Sequence, residues 1–126
     1  MPVLLNHTIV WVHDKQAAAS SVATVLDLPE PVPYGRFLVL TLGNDVSLDF
    51  ADSAEPIHPQ HYAFLVSELD FDAILGRIRE RGLRYWADPG RRRPEQINTN
   101  DGGRGVYWEG PDGHFLEIIT RPYGSG

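Results

Sequence analysis

The sequence predicts an α+β fold, one domain of 126 residues built of two βαβββ units at about 1–52 and 60–123. Three observations predict it. Short runs of β-branched and aromatic residues enclose one stretch of helical apolar spacing, in the order β-α-β-β-β, and that order occurs twice. A proline-bearing connector, roughly Asp52 to Pro59, separates the two occurrences. A histidine in the first strand and an acid in the last also recur. His7 and Asp49 are 42 positions apart, and His61 and Glu117 are 56 apart. The difference of 14 is the length of the polar segment Asp88–Asp101, whose removal brings the units into register.

Val3 to Val12 is dense in strand-forming residues. Asp14 is placed to cap a helix from Lys15 to Asp27 with the stripe Ala18, Val22, Val25 and Leu26, and Leu28-Pro29-Glu30-Pro31 ends it. A short strand near Val32–Tyr34 precedes Arg36–Leu42 and Val46–Ala51, which are joined at Gly43-Asn44-Asp45. In the second unit Gln60–Ser67 alternates as a strand, and Ser67 with Asp70 resembles a capping box. Phe71, Ile74, Leu75 and Ile78 then form an i, i+3, i+4, i+7 stripe, and Gly82 suits a left-handed helix end. Leu83–Ala87 is a strand, followed by the polar segment. Gly105–Glu109 and His114–Thr120 close the unit through the turn Gly110-Pro111-Asp112-Gly113. Gly124-Ser125-Gly126 reads as a frayed tail.

Composition excludes several classes. With 42% apolar and 22% charged residues the chain is globular and not disordered. A net charge of −6, with no basic patch beyond Arg91-Arg92-Arg93, argues against a nucleic-acid partner. No apolar run approaches the roughly 20 residues that span a bilayer, and no signal peptide is evident, so a cytoplasmic protein without a membrane partner is expected. Zero cysteines exclude disulfides, thiolate ligands and cysteine nucleophiles.

The chemistry centres on the recurring pairs. Period 2 puts His7 on one face with Ile9 and Trp11, and His61 with Ala63 and Leu65. Glu117 sits inside Phe115-Leu116-Glu117-Ile118-Ile119, where an ionised carboxylate costs several kcal/mol unless it is paired or metal-bound. A single strand His or Glu is more often paired than metal-bound; the repetition on equivalent strands is what singles these out. Two histidines and one acid suit Fe2+, Mn2+, Ni2+, Co2+ or Zn2+ and leave positions open for substrate. Asp49 is a fourth candidate, either a ligand or a hydrogen-bond acceptor behind one. His13, His58 and His114 read as helix-entry, connector and hairpin residues. Trp11, Trp86 and Trp108 read as core residues first. The segment Asp88–Asp101 reads as a lid that supplies Arg or Asn to an anionic substrate, or as a solvated flap.

Leu5-Asn6-His7-Thr8, His61-Tyr62-Ala63-Phe64 and the run from Tyr107 through Gly110-Pro111-Asp112-Gly113-His114 to Glu117 resemble the vicinal oxygen chelate superfamily. That group includes glyoxalase I, fosfomycin-resistance proteins, bleomycin-resistance proteins and extradiol dioxygenases. The resemblance implies curved mixed sheets around a metal-binding cavity, with a divalent metal held by His7, His61 and Glu117. It implies an enzyme in which the metal stabilises an oxyanion or enolate of a small substrate, with Glu117 also catalytic and Tyr107 substrate-binding. Lyase, isomerase and dioxygenase chemistry stay open. The alternative is a non-catalytic drug-binding protein of the bleomycin-resistance type. Asp49 falls where glyoxalase I carries a ligating Glu, which argues against that activity. The single lysine, Lys15, argues against fosfomycin modification. Small members of the group imply a homodimer, with His7 from one protomer and His61 and Glu117 from the other.

Overall fold

Residues 1–125 are described by a computed structural model. Contacts divide the chain at the connector into Met1–His58 and the part from Pro59 onward. The first unit contains β1 (His7–Val12), α1 (Lys15–Leu26), β2 (Val32–Tyr34), β3 (Phe37–Thr41) and β4 (Ser47–Asp52). The second contains β5 (His61–Leu65), α2 (Glu68–Glu80), β6 (Tyr85–Trp86), β7 (Gly105–Glu109) and β8 (Phe115–Ile119). Each unit is an open four-stranded mixed sheet, in the orders β1-β4-β3-β2 and β5-β8-β7-β6. The helix crossover makes β1 parallel to β4 and β5 parallel to β8, whereas the remaining neighbours are antiparallel. Both histidines therefore lie on edge strands.

In the first unit the Asp14 carboxylate accepts the Ala17 N–H at 3.1 Å, the expected cap. The helix closes at Asp27, which adopts a left-handed φ of 55°. Ala18, Ala19, Val22 and Val25 are buried, as are Val10, Val12, Leu40 and Phe50 of the sheet. β1 starts at His7 and not at Val3, because β4 begins pairing only at Ser47. Val3, Leu4 and Leu5 lie exposed.

In the second unit Ser67 Oγ accepts the Asp70 N–H at 3.1 Å, and Gly82 takes the left-handed φ of 65° that ends α2. Phe71, Ile74, Leu75 and Ile78 are buried, with Val106, Trp108, Leu116 and Ile118 of the sheet. Arg104 ties the start of α2 to the sheet: its guanidinium lies 2.7 Å from Glu68 Oε1 and from Asp72 Oδ1, and 4.4 Å from the Phe71 ring centre.

β6 has two residues where five were expected, and the polar segment, exposed over residues 89–96, is anchored to the sheet. It folds back on β6: Ala87 N–H donates to Arg93 O at 3.0 Å and Glu95 N–H to Tyr85 O at 2.9 Å. The Asp88 carboxylate accepts the N–H groups of Arg92 and Arg93. Asn98 is buried, pairs both ways with the Gly105 backbone, and donates Nδ2 to Ala87 O at 2.8 Å. Among the described residues, no helix is long and apolar enough to cross a membrane.

Candidate metal centre

Register explains why each histidine shares a sheet face with an acid. Partners across a parallel pair point to the same side of the sheet. Asp49 pairs with Ile9, two residues past His7, and Glu117 pairs with Ala63, two residues past His61. The two units thus carry imidazole and carboxylate at the same relative positions, and the repeat read from spacing is a repeat in register. These faces are opposite those that carry Val10 and Val12 in the first unit and Leu116 and Ile118 in the second.

In the second unit the pair is joined. His61 Nδ1 lies 2.9 Å from the Phe115 carbonyl oxygen, which only accepts, so Nδ1 carries the hydrogen. His61 Nε2 then faces Glu117 Oε1 at 3.0 Å. In the neutral ring that nitrogen bears a lone pair, as does the carboxylate oxygen, and a proton or a cation between them is what reconciles the two. Glu117 is 2% exposed and His61 44%, so the acid is sunk and the imidazole opens outward. An imidazole nitrogen beside a carboxylate oxygen is a donor set for a divalent metal.

Two phenols border the pair. Tyr107 is opposite Glu117 across β7 and β8, and its ring stacks on Phe115 with centres 5.4 Å apart. Burial first, then the Glu117 charge and a hydrogen bond with Glu117, hold the Tyr107 hydroxyl far above its usual range. Tyr123 Oη donates to Glu117 Oε1 at 3.2 Å. That contact was invisible in the sequence reading, which treated the residues just beyond Tyr123 as frayed. Gly124 and Ser125 are hydrogen-bonded back onto the chain, and Gly126 lies outside the described residues. The available signal was an aromatic residue behind Arg121-Pro122, where proline turns the chain just after the strand that bears the acid.

The first unit holds a weaker version. His7 Nδ1 lies 2.6 Å from Asn6 Oδ1, which again assigns the hydrogen to Nδ1 and the lone pair to Nε2. Asp49 is buried, and its Oδ1 accepts the Ser47 hydroxyl at 2.8 Å. Among the described residues no three of His, Asp and Glu gather into a set that could hold a metal ion. The structure brings His61, Glu117, Tyr107 and Tyr123 together and leaves His7 and Asp49 with their own unit.

His114 and His13 serve the fold. His114 is buried and its Nδ1 accepts the Gln60 N–H at 3.0 Å, tying the hairpin to the start of β5. His13 Nε2 is 3.2 Å from Glu55 O. Of the three consecutive arginines, Arg91 takes a left-handed φ of 58° and lays its guanidinium 4.4 Å from the Phe115 ring centre and 5.1 Å from that of Trp86. Phe115 is also 6.3 Å, centre to centre, from the His61 ring. A cation therefore sits one aromatic ring away from the candidate ligands. The sequence offered no means to choose Arg91 over its two neighbours.

Comparison with known proteins places this arrangement. No family model matches the chain. The solved structures of oxidase ChaP-H1 and oxidase ChaP-H2 are each 63% identical to it. The first covers 98% of this chain and 99% of its own with a TM-score of 0.96, and the second covers 100% and 99% with 0.97. Glutathione transferase FosA from Serratia marcescens is 29% identical over 120 residues, 90% of this chain and 78% of its own length. The fold, at 18% identity and a TM-score of 0.69, also matches lactoylglutathione lyase from Agrobacterium tumefaciens over 94% of this chain and 93% of that one. With a full-length likeness at 63% identity to the two ChaP oxidases, the match to a FosA transferase, a fold shared with lactoylglutathione lyase and the doubled His-acid register, the chain belongs to the vicinal oxygen chelate superfamily.

Proposed function

We propose that the protein is a divalent-metal-dependent oxidase that acts, as a homodimer, on a small molecule bearing adjacent oxygens. One observation carries the reaction class: the 63% identity, over essentially the whole chain, to two proteins described as oxidases. The buried Glu117 beside His61 Nε2 supports the metal, and an imidazole with a carboxylate suits Fe2+, Mn2+, Ni2+, Co2+ or Zn2+. His61 and Glu117 provide two ligands, and His7 of a second copy provides the third. Both histidine-bearing strands are open sheet edges, which a chain must cover or pair. Exchange between two copies covers them and completes the ligand set.

Bound there, the metal supplies Lewis-acid polarisation of the substrate oxygens and, if redox-active, a route for substrate electrons to dioxygen. The chain's own residues do the rest. The Phe115 carbonyl holds the His61 ring through Nδ1, so that Nε2 points at the site. Glu117 neutralises part of the cation's charge. Tyr107, Phe115 and Trp86 form an apolar wall that displaces water from one flank. Arg91 presents a positive charge to an anionic oxygen of the substrate.

The test is oxygen uptake by protein loaded separately with each metal, over a panel of catechols, hydroquinones and α-hydroxyketones, alongside metal content and light scattering. One metal per protomer, a dimer, and uptake lost in His61→Ala support the reading. Metal-free wild-type protein, or uptake unchanged in His61→Ala, refutes it. Thiol transfer is the second reading, favoured by the 29% identity to FosA. Fosfomycin with glutathione would then give an adduct by mass spectrometry. Against it, the single lysine is used at the start of α1, where Lys15 Nζ donates to Arg36 O at 2.7 Å. Tight ligand binding with no turnover would instead mark a drug-binding protein.

A further inference from the structure

A glutamate ligand has three side-chain torsions, and a metal needs its carboxylate held in one arrangement. His61 does not supply that hold in the metal-bound state, because its Nε2 lone pair is then committed to the ion and has no hydrogen to give Oε1. The hold must then come from the two phenols: Tyr107 hydrogen-bonds Glu117 from β7, and Tyr123 Oη donates to Oε1 at 3.2 Å from beyond the end of β8. Tyr123 is 70% exposed, so apolar burial does not account for where the side chain lies. The phenol crosses from a solvent-facing segment to a carboxylate that is itself 2% exposed.

The segment that carries Tyr123 is pinned. Gly124 N–H donates to Asp101 Oδ1 at 3.2 Å, fastening it to the short turn Asn100–Gly102 at the end of the polar segment. Arg121 Nη2 donates to Ser125 O at 2.7 Å, and Ser125 N–H to Pro122 O at 3.2 Å. Gly103 permits the close approach: a Cβ there would stand 2.5 Å from Thr120 Oγ1 and 2.9 Å from Arg121 Cγ. Two hydrogen bonds within the strap and one to Asp101 thus hold the segment whose hydroxyl meets the carboxylate.

We propose that Tyr123 is a positioning residue for Glu117, its hydroxyl fixing the carboxylate in the ligating rotamer and the strap Arg121–Ser125 fixing the hydroxyl. This rests on the reading of His61 and Glu117 as metal ligands. The experiment measures Mn2+ affinity of the full chain by competition with a fluorescent chelator, together with the metal-free melting temperature. The set is wild type, Tyr123→Phe, His61→Ala and Tyr34→Phe, the last an exposed tyrosine on β2. Losing a partner behind a ligand typically weakens metal binding by about 10–100-fold. Tyr123→Phe is expected to do so with the metal-free melting temperature unchanged and with broadened lines in the Mn2+ electron paramagnetic resonance spectrum. Tyr34→Phe should match wild type, and His61→Ala should lose the metal. Affinity of Tyr123→Phe within about twofold of wild type, while His61→Ala loses the metal, overturns the role of Tyr123 and leaves the metal reading intact. A weakened affinity that comes with a clear fall in metal-free melting temperature assigns Tyr123 to folding and also overturns it. Wild type and His61→Ala binding alike would remove the metal reading, and this proposal with it.

Discussion

Glu117→Gln separates the charge of the buried acid from its volume. The amide fills the same space, so no cavity opens. His61 Nε2 and the Tyr123 hydroxyl both face Oε1, so the amide presents there either its N–H to His61 or its oxygen to Tyr123, and one of the two contacts is lost. The metal-free variant should therefore melt no more than a few degrees below wild type, the worth of about one hydrogen bond. The difference should show once metal is added. At a metal concentration about 100 times Kd the folded state gains about 2.7 kcal/mol. An unfolding entropy of about 2.1 cal/mol/K per residue over 126 residues gives roughly 0.26 kcal/mol/K, hence a rise of about 10 °C. Outer partners alone are worth about 10–100-fold in affinity, so losing an anionic ligand should cost at least roughly a hundredfold. At the same metal concentration the variant would sit near its own Kd, gaining about 0.4 kcal/mol, or about 1.5 °C. Scanning calorimetry with and without Mn2+ reads both numbers. A variant that keeps the full metal-induced rise refutes Glu117 as a ligand.

Arg91→Ala should leave Mn2+ affinity unchanged and raise KM for anionic substrates by about 10–100-fold, the value of a hydrogen bond to a charged group; equal effects on anionic and neutral substrates would refute a charge role. Asp49→Asn should not change metal affinity, because the Ser47 hydroxyl already occupies that carboxylate; loss of metal by this variant would make Asp49 a fourth ligand. The Arg104 cluster sets a pH dependence. The Thr120 hydroxyl and then Arg104 hold Glu68 below its usual range, and Arg104 holds Asp72 low. Since both folded-state values are depressed, their stabilisation is complete above the ordinary carboxylate range, about pH 4–4.5, and fades as pH falls through the lower folded values. Arg104→Ala should melt several degrees below wild type at pH 7, with a gap that narrows in acid. A gap of constant size across that range would place the effect in packing on Phe71 alone.

What the sequence revealed followed local physics. Asp14 and Ser67 were legible as caps because their oxygens reach amides only three residues on. The α2 stripe was legible because one helix face repeats every turn. The pairing of histidine with acid was legible through equal spacing, corrected for one inserted segment. What was hidden depended on tertiary contacts. Val3-Leu4-Leu5 has strand composition, but a strand needs a partner, and β4 does not extend that far. Asp88–Asp101 looked like a flap because its side chains are polar. Its order comes from backbone amides turned onto Asp88 and from the buried Asn98, which no periodicity reports. Replacing Arg91–Gln96 by a flexible link would remove the Arg93 carbonyl and the Glu95 amide that pair with Ala87 and Tyr85. A point change at Arg91 is the cleaner probe of this segment. Tyr123 was hidden for the same reason, since nothing local marks a hydroxyl that acts six residues away.

The two units also show how one register can support unequal chemistry. Opposite Glu117 on the antiparallel side stands Tyr107; the matching position opposite Asp49 is Val39. Where the first unit has Ser47, the second has Phe115, whose carbonyl orients His61 and whose ring carries Arg91. A serine at that place closes the acid off by donating to it within its own strand. A phenylalanine leaves the acid to its histidine, and the one extra methylene of glutamate closes the gap to 3.0 Å. Few positions separate a unit whose acid is already satisfied from one whose acid faces a lone pair. That asymmetry is why the proposed site draws one ligand from the first unit and two from the second.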